Sequence, residues 1–178
     1  MNIHKLLSTK ERVKTLKLIL YKTDYIRVVD VAKELRLSKG LVSKFFDILV
    51  KENVLKKFET KCMAIDNPHT RAIKIFLNIV SFDASLLKKF KFVKAAGLYG
   101  SLVKGTNTEE SDIDLWIIID KTNEENLARL TNQLKKKYVS IKPLYLTKEK
   151  IETLKKEDAV FYHSLVFGSI NVYGKETI

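Results

Sequence analysis

The stretch from residue 98 to residue 116 constrains the fold more than any other part of this sequence. An apolar run leads into Gly100-Ser101, a second glycine follows at Gly105, and a further apolar run begins at Ile113. Glycine lets a backbone turn sharply and lets its N–H groups come close to a phosphate. This order predicts a strand, a phosphate-binding turn that opens a helix, and a second strand.

An acidic pair, Asp112 and Asp114, stands at the start of the second apolar run. Alternate residues of a strand point to the same face, about 6–7 Å apart. Two carboxylates at that separation can share the divalent cations that accompany the phosphates of a nucleotide. The sequence therefore predicts a metal site beside the glycine turn.

The pattern Gly100-Ser101-x3-Gly105-x5-Ser111-Asp112-x-Asp114 resembles the motif of the DNA polymerase β-like nucleotidyltransferases, most closely their minimal branch. The resemblance extends over Phe82–Tyr173. It implies a Mg²⁺-dependent enzyme that transfers a nucleoside monophosphate from a nucleoside triphosphate to an acceptor hydroxyl. Expected nucleotide-binding residues are Gly100, Ser101, Lys104, Gly105 and Ser111, and expected catalytic and metal-binding residues are Asp112 and Asp114.

One departure from this family concerns a third carboxylate, which the resemblance places on the strand after the long helix. Residues 138–146 form that strand and contain neither Asp nor Glu, so that Ser140 or Lys142 takes the place, depending on register. Asp120 is about 20 Å further along the strand from Asp114 and cannot substitute. Glu109 and Glu110, in the loop, remain alternatives. The Mg²⁺ site is therefore either a two-metal site or an incomplete one.

The N-terminal part has the pattern of three helices and a hairpin. Apolar spacing predicts helices over 9–21, 28–35 and 38–51 and two short strands over 54–65. Ser8 or Thr9 can cap the first helix and Ser38 the third, whose buried stripe is expected to be Leu41, Val42, Phe45, Ile48 and Leu49. This order resembles a winged helix-turn-helix, in which a helix enters the major groove of DNA and a hairpin wing lies beside it. Expected DNA-binding residues are Ser38, Lys39, Gly40, Ser43, Lys44, Lys56, Lys57 and Lys61.

The charge distribution agrees with a polyanion-binding N-terminal part. Residues 1–82 carry 17 Lys and Arg against 8 Asp and Glu, a net charge of +9, whereas residues 83–178 carry 16 against 13, a net charge of +3. We expect an α+β protein with a winged helix-turn-helix at 1–66, a linking helix at 67–82, and a nucleotidyltransferase-like mixed α/β sheet domain at 83–178.

Several functions and partners stay open at this point. The single cysteine, Cys62, and the lack of a long apolar segment favour a cytoplasmic protein without membrane contact. Besides a nucleotidyltransferase coupled to the binding of double-stranded DNA, the sequence allows two alternatives. One is a weakly active or inactive transcriptional regulator, and the other is an antitoxin with a toxin partner. A protein acceptor and a homodimer are open as well. Trp116 is expected in the core rather than against a base.

Overall fold

The computed structural model describes Met1–Ile178 as two compact units. The first comprises Met1–Leu77 together with Gly105–Glu110, and the second comprises Asn78–Lys104 together with Ser111–Ile178. The part of the motif between Lys104 and Ser111 therefore groups with the first unit.

Helices and one hairpin build the first unit. Its elements are α1 (Ile3–Leu7), α2 (Lys10–Ile19), α3 (Val28–Leu35), α4 (Lys39–Lys51), β1 (Leu55–Phe58), β2 (Lys61–Ala64) and the first turns of α5 (Pro68–Ser81). Polar caps explain two of the starts, since Thr9 accepts a hydrogen bond from Arg12 N and Ser38 accepts one from Leu41 N, both at 3.3 Å. The predicted order of helices and hairpin is present, and α1 is additional.

Helix α4 buries a different stripe from the one predicted. We expected Leu41 and Ile48 to lie inside with Val42, Phe45 and Leu49, but Leu41 is 41% exposed and Ile48 is only partly buried. The buried stripe is Val42, Phe45, Phe46 and Leu49, which follows the i, i+3, i+4, i+7 spacing of a single helix face. The N-terminal turn of α4 therefore keeps its outer side in solvent.

A four-stranded mixed sheet forms the second unit. Its elements are a 3₁₀ helix (Ala84–Lys89), β3 (Val93–Tyr99), α6 (Ser101–Lys104), β4 (Ile113–Ile119), α7 (Glu124–Lys137), β5 (Ile141–Leu146), α8 (Lys148–Glu157), α9 (Ala159–Phe167) and β6 (Ser169–Tyr173). The strand order is β5-β4-β3-β6, in which only β4 and β5 are parallel. The mixed α/β sheet expected from the sequence is confirmed.

Helices cover both faces of this sheet. On one face Leu98, Leu115 and Ile117 pack in a buried cluster with Leu130 and Leu134 of α7. On the other face Trp116 packs with Ile118 and with Leu165 of α9. Trp116 is 2% exposed, as predicted for a core residue, and its indole lies where a side chain on Gly97 would be.

A helix follows Gly100 as predicted, and it is the single turn of α6, while Ala84–Lys89 forms a 3₁₀ helix. The strand predicted over 138–146 is shorter than expected. Strand β5 begins at Ile141, because Val139 is 99% exposed and makes no ladder pair. None of the helices has the length and apolar character needed to cross a membrane.

Candidate nucleotide site

The site is built at one end of the central strands of the second unit. Strand β3 ends at Tyr99, and Gly100 turns the chain into α6 with a φ of +71°. That left-handed conformation favours glycine, since a Cβ would be crowded by the backbone. The turn brings Ser101 to the first position of α6. Gly100 and Ser101 thus occupy the strand-to-helix turn that the sequence predicts.

Asp114 lies directly against the Gly100 turn. A Cβ built on Gly100 would be 2.5 Å from the Oδ2 atom of Asp114. The ladder between β3 and β4 pairs Leu98 with Leu115, so that the next residues outward are Tyr99 and Asp114. The absence of a side chain at Gly100 therefore makes room for the carboxylate, and the turn and the acidic residue form a single site.

The two aspartates interact electrostatically. Burial raises the pKa of Asp114 above its ordinary value, and the negative charge of Asp112 adds to this effect, while the positive charge of Lys142 opposes it. Burial also raises the pKa of Tyr99, with a smaller contribution from Asp114. Burial thus makes the ionised form of Asp114 less favourable, and a positive charge nearby offsets this effect.

Lys142 provides a cation from the chain itself. The parallel ladder pairs Asp114 of β4 with Lys142 of β5, and the Nζ atom of Lys142 is 2.6 Å from Oδ2 of Asp112. The hydrogen bond to Asp112 raises the pKa of Lys142. The strand register also decides which of Ser140 and Lys142 takes the place of the third carboxylate. Ser140 O accepts a hydrogen bond from Ile113 N at 2.7 Å, and Lys142 stands beside the acidic pair.

The remaining motif residues divide between the two units. Lys104 ends α6 and is exposed, and Ser111 is partly buried just before the acidic pair. Gly105, with a φ of +67°, belongs to the first unit, where a Cβ would collide with the carbonyl oxygen of Arg71. Its lack of a side chain thus has a packing reason.

Two of the other acidic residues, Glu109 and Asp120, are engaged elsewhere. Glu109 forms an ion pair with Lys22 at 3.8 Å, and its N–H donates to Tyr21 O at 3.0 Å. Asp120 pairs with Lys94 at 2.7 Å. Nowhere in the chain do three or more His, Cys, Asp or Glu side chains come together to hold a metal ion. Asp112 and Asp114 fit one divalent cation shared with phosphate oxygens, and the residues present do not fit a second ion.

The residues expected to contact DNA lie on the surface of the first unit. Lys39, Gly40, Ser43 and Lys44 are exposed at the N-terminal end of α4. Lys56, Lys57 and Lys61 are exposed on the hairpin. Tyr25 is not among the residues that the sequence predicts for DNA binding, although it is 53% exposed. Its ring makes a T-shaped contact with Phe58 at 5.5 Å between centroids, and the Lys61 ammonium lies over its face. The backbone pairing of Ile26 with Cys62 places Tyr25 beside the hairpin.

Solved structures that resemble this chain include three toxin–antitoxin complexes. One with AMP-PNP shares 19% identity over 56% of this chain and 73% of that chain, with a TM-score of 0.39. A mutant MntA-HpeT complex shares 18% identity over 51% and 69%, also with a TM-score of 0.39. A tri-AMPylated Shewanella oneidensis HEPN toxin with MNT antitoxin shares 16% identity over 57% and 73%, with a TM-score of 0.37.

A comparison with curated proteins gives no match. The family model described as polymerase beta, nucleotidyltransferase matches residues 84–178, a range that includes the Gly100 turn, both aspartates and all four strands of the sheet. Since this match covers more than half of the chain, the protein belongs to the polymerase beta nucleotidyltransferase family.

Proposed function

We propose that the second unit binds a nucleoside triphosphate together with Mg²⁺, and that the first unit binds double-stranded DNA. The observation that carries the first part is the position of Asp114 against the Gly100 turn. Backbone N–H groups at this turn and the Ser101 hydroxyl are donors for phosphate oxygens. Asp112 and Asp114 would hold the cation, which neutralises phosphate charge when bound.

The other motif residues have supporting roles in this proposal. Lys104 is exposed and free to reach a phosphate as a point charge. Ser111 precedes the acidic pair and orients the chain that enters β4. Gly105 acts through the shape of the loop, because its close neighbour is the backbone of Arg71.

Nucleotide binding is tested by titrating ATP and Mg²⁺ into the full chain in a calorimeter. We expect Asp114→Asn to weaken binding by about tenfold or more, since hydrogen bonds and contacts of charged groups contribute about 1.5–3 kcal/mol. Asp120→Asn is the matched control, because Asp120 follows the opposite end of the same strand and pairs with Lys94. Equal affinity in Asp114→Asn and the wild type would contradict the proposed site.

For the first unit we propose a winged helix-turn-helix in which α4 is the recognition helix and the β1–β2 hairpin is the wing. The outer side of α4 has small residues, Gly40 and Ser43, between two lysines, which allows close approach to a duplex. The Ser38 hydroxyl accepts from Leu41 N and keeps its own proton available as a donor.

Aromatic rings hold two of the hairpin lysines in place. The Lys56 ammonium lies 5.2 Å from the Phe58 ring centroid, and that of Lys61 lies 5.5 Å from the Tyr25 centroid. Such contacts reduce the side-chain freedom that would be lost on binding a phosphate. The hairpin thus presents ordered positive charge beside an exposed aromatic ring.

DNA binding is tested with a random-sequence duplex at several salt concentrations. We expect the double variant Lys39→Glu/Lys44→Glu to bind more weakly and to reduce the salt slope by about 1.8, since each phosphate contact contributes about 0.9. The control Lys135→Glu/Lys136→Glu makes the same charge change at exposed positions of α7 in the second unit. If both double variants lose the same affinity, net charge alone explains the binding.

Transfer of the nucleotide to an acceptor, and the identity of a protein partner, are separate questions. Transfer additionally requires an acceptor hydroxyl to be activated. At the position where the family resemblance implies a third carboxylate, this chain has the positively charged Lys142.

A further inference from the structure

Lys142 stands where the family resemblance requires a third acidic residue. Strand β5 is the strand after the long helix α7, and its Lys142 is the ladder partner of Asp114. Residues paired on adjacent strands have their side chains side by side on one face of the sheet. The side chain that could have completed a three-carboxylate site is therefore a lysine, whose Nζ atom contacts Asp112 at 2.6 Å.

The chemistry of this substitution affects metal binding directly. An ammonium group has three donors and no acceptor, so it cannot ligate a metal ion. Two aspartates and one lysine have a formal charge of −1, whereas three carboxylates would have −3. Because binding of two divalent ions depends on negative charge to hold them close together, the lysine removes both a ligand and the charge that a second ion requires.

The Lys142–Asp112 pair leaves the remaining acidic residue available. The side chains of Lys142 and Asp112 are 67% and 39% exposed, so water screens their attraction and the pair can open without a large cost. Asp114 is partly buried and lies at the Gly100 turn. One divalent cation, brought in with a triphosphate, can therefore still be held at Asp114, with Asp112 joining it when the pair opens.

We propose that Lys142 limits this site to a single divalent cation, so that the protein binds a nucleoside triphosphate without transferring its nucleotide. This inference rests on the proposed nucleotide binding. In a transfer, the acceptor oxygen bonds to the α-phosphorus, the bond from that phosphorus to the bridging oxygen breaks, pyrophosphate leaves with the electron pair, and the hydroxyl proton passes to water. The residues at hand do not fit the ion that would activate the acceptor oxygen.

The experiment counts Mn²⁺ ions by electron paramagnetic resonance in the full chain saturated with a nonhydrolysable ATP analogue. We compare the wild type with Lys142→Asp, which supplies the third carboxylate, and with Lys142→Met, which removes the charge without adding a ligand. Lys150→Asp, an exposed position on α8, controls for the charge change alone. Pyrophosphate release from ATP is measured in parallel, with Asp112→Asn as background.

We expect one bound ion in the wild type, Lys142→Met and Lys150→Asp, two bound ions in Lys142→Asp, and no pyrophosphate above background in the wild type. Two ions in the wild type, pyrophosphate release by the wild type, or a single ion in Lys142→Asp would each overturn this inference while nucleotide binding stands. A wild type that binds no nucleotide at all would overturn the proposed function as well. Unfolding midpoints of all variants verify that the fold is retained.

Discussion

Gly100 offers the sharpest test of how backbone shape and chemistry combine in this site. Its φ of +71° is strained for any residue with a Cβ, and the position of that Cβ is 2.5 Å from Oδ2 of Asp114. Gly100→Ala therefore has two separable effects, one on the backbone and one on the carboxylate. The first lowers the stability of the second unit, and the second changes nucleotide affinity.

The expected magnitudes follow from these two contacts. Holding alanine in the left-handed region costs about 1–2 kcal/mol of unfolding free energy. The carboxylate is the free end of a side chain and can turn away, so the clash itself adds little to this cost. The displaced Asp114 no longer faces the turn, and losing its contribution of about 1.5–3 kcal/mol weakens nucleotide binding by about tenfold to a hundredfold.

Gly174→Ala is the matched control for this prediction. Gly174 has a φ of +77°, and its Cβ would collide with the carbonyl oxygen of Lys94, which is backbone and cannot turn away. We expect Gly174→Ala to destabilise the second unit at least as much as Gly100→Ala and to leave nucleotide affinity unchanged. Trp116, the single tryptophan of the chain, is buried in this unit, so its fluorescence reports unfolding by urea.

Calorimetric titration with ATP and Mg²⁺ provides the second measurement. If Gly100→Ala loses stability but binds ATP as tightly as the wild type, the turn and Asp114 do not form a common site. If Gly174→Ala loses the same affinity as Gly100→Ala, a general loss of stability explains both results.

Four further predictions concern the packing, titration and ligands of the two units. Gly97→Ala should destabilise the second unit by about 1–3 kcal/mol in urea unfolding, because the added methyl group meets the rigid Trp116 indole. Gly40→Ala has open space around its Cβ and should stabilise the first unit by about 0.5–1 kcal/mol, measured by circular dichroism. Burial raises the pKa of Tyr21 from 10.0 to about 12, so the folded state retains a proton that the unfolded state loses, and stability should fall as pH rises through this window. Tyr21→Phe should show a smaller fall in denaturation experiments between pH 9 and 12, and an unchanged slope would contradict the assignment. Glu109→Gln should bind ATP and Mg²⁺ as the wild type does, because Glu109 pairs with Lys22. A loss of affinity in calorimetry would show instead that Glu109 is a ligand of the metal ion.

Local patterns predicted most of the elements because their information lies within a few residues. The caps at Thr9 and Ser38, the apolar spacing of α7, and the run that becomes β4 are read without knowledge of the rest of the chain. Helix α4 shows the limit of this reasoning, since apolar Leu41 and Phe46 look equivalent in sequence. Only packing against the other helices decides that Phe46 is buried and Leu41 is not.

The candidate site divides in the same way. Gly100, Asp112 and Asp114 follow from one short motif, because a turn and the first residues of a strand are local features. The partner of Asp112 does not follow from it, since the choice between Ser140 and Lys142 depends on the register of two parallel strands separated by a whole helix. A shift of one residue along β5 would turn Lys142 to the opposite face of the sheet.

The loop within the motif shows why spacing alone could not complete the ligand set. In the sequence Glu109 and Glu110 stand three and two residues before Asp112 and look like natural substitutes for the missing carboxylate. In the structure the segment Gly105–Glu110 groups with the first unit, where the Lys74 ammonium donates to Asn107 O and Glu109 faces Lys22. Burial lowers the pKa of Lys74, because a charged ammonium group is costly in a buried position. The hydrogen bond to Asn107 O is nevertheless present. Contacts within the helical unit therefore determine the position of the loop. The acidic site of the sheet unit contains two carboxylates and a lysine.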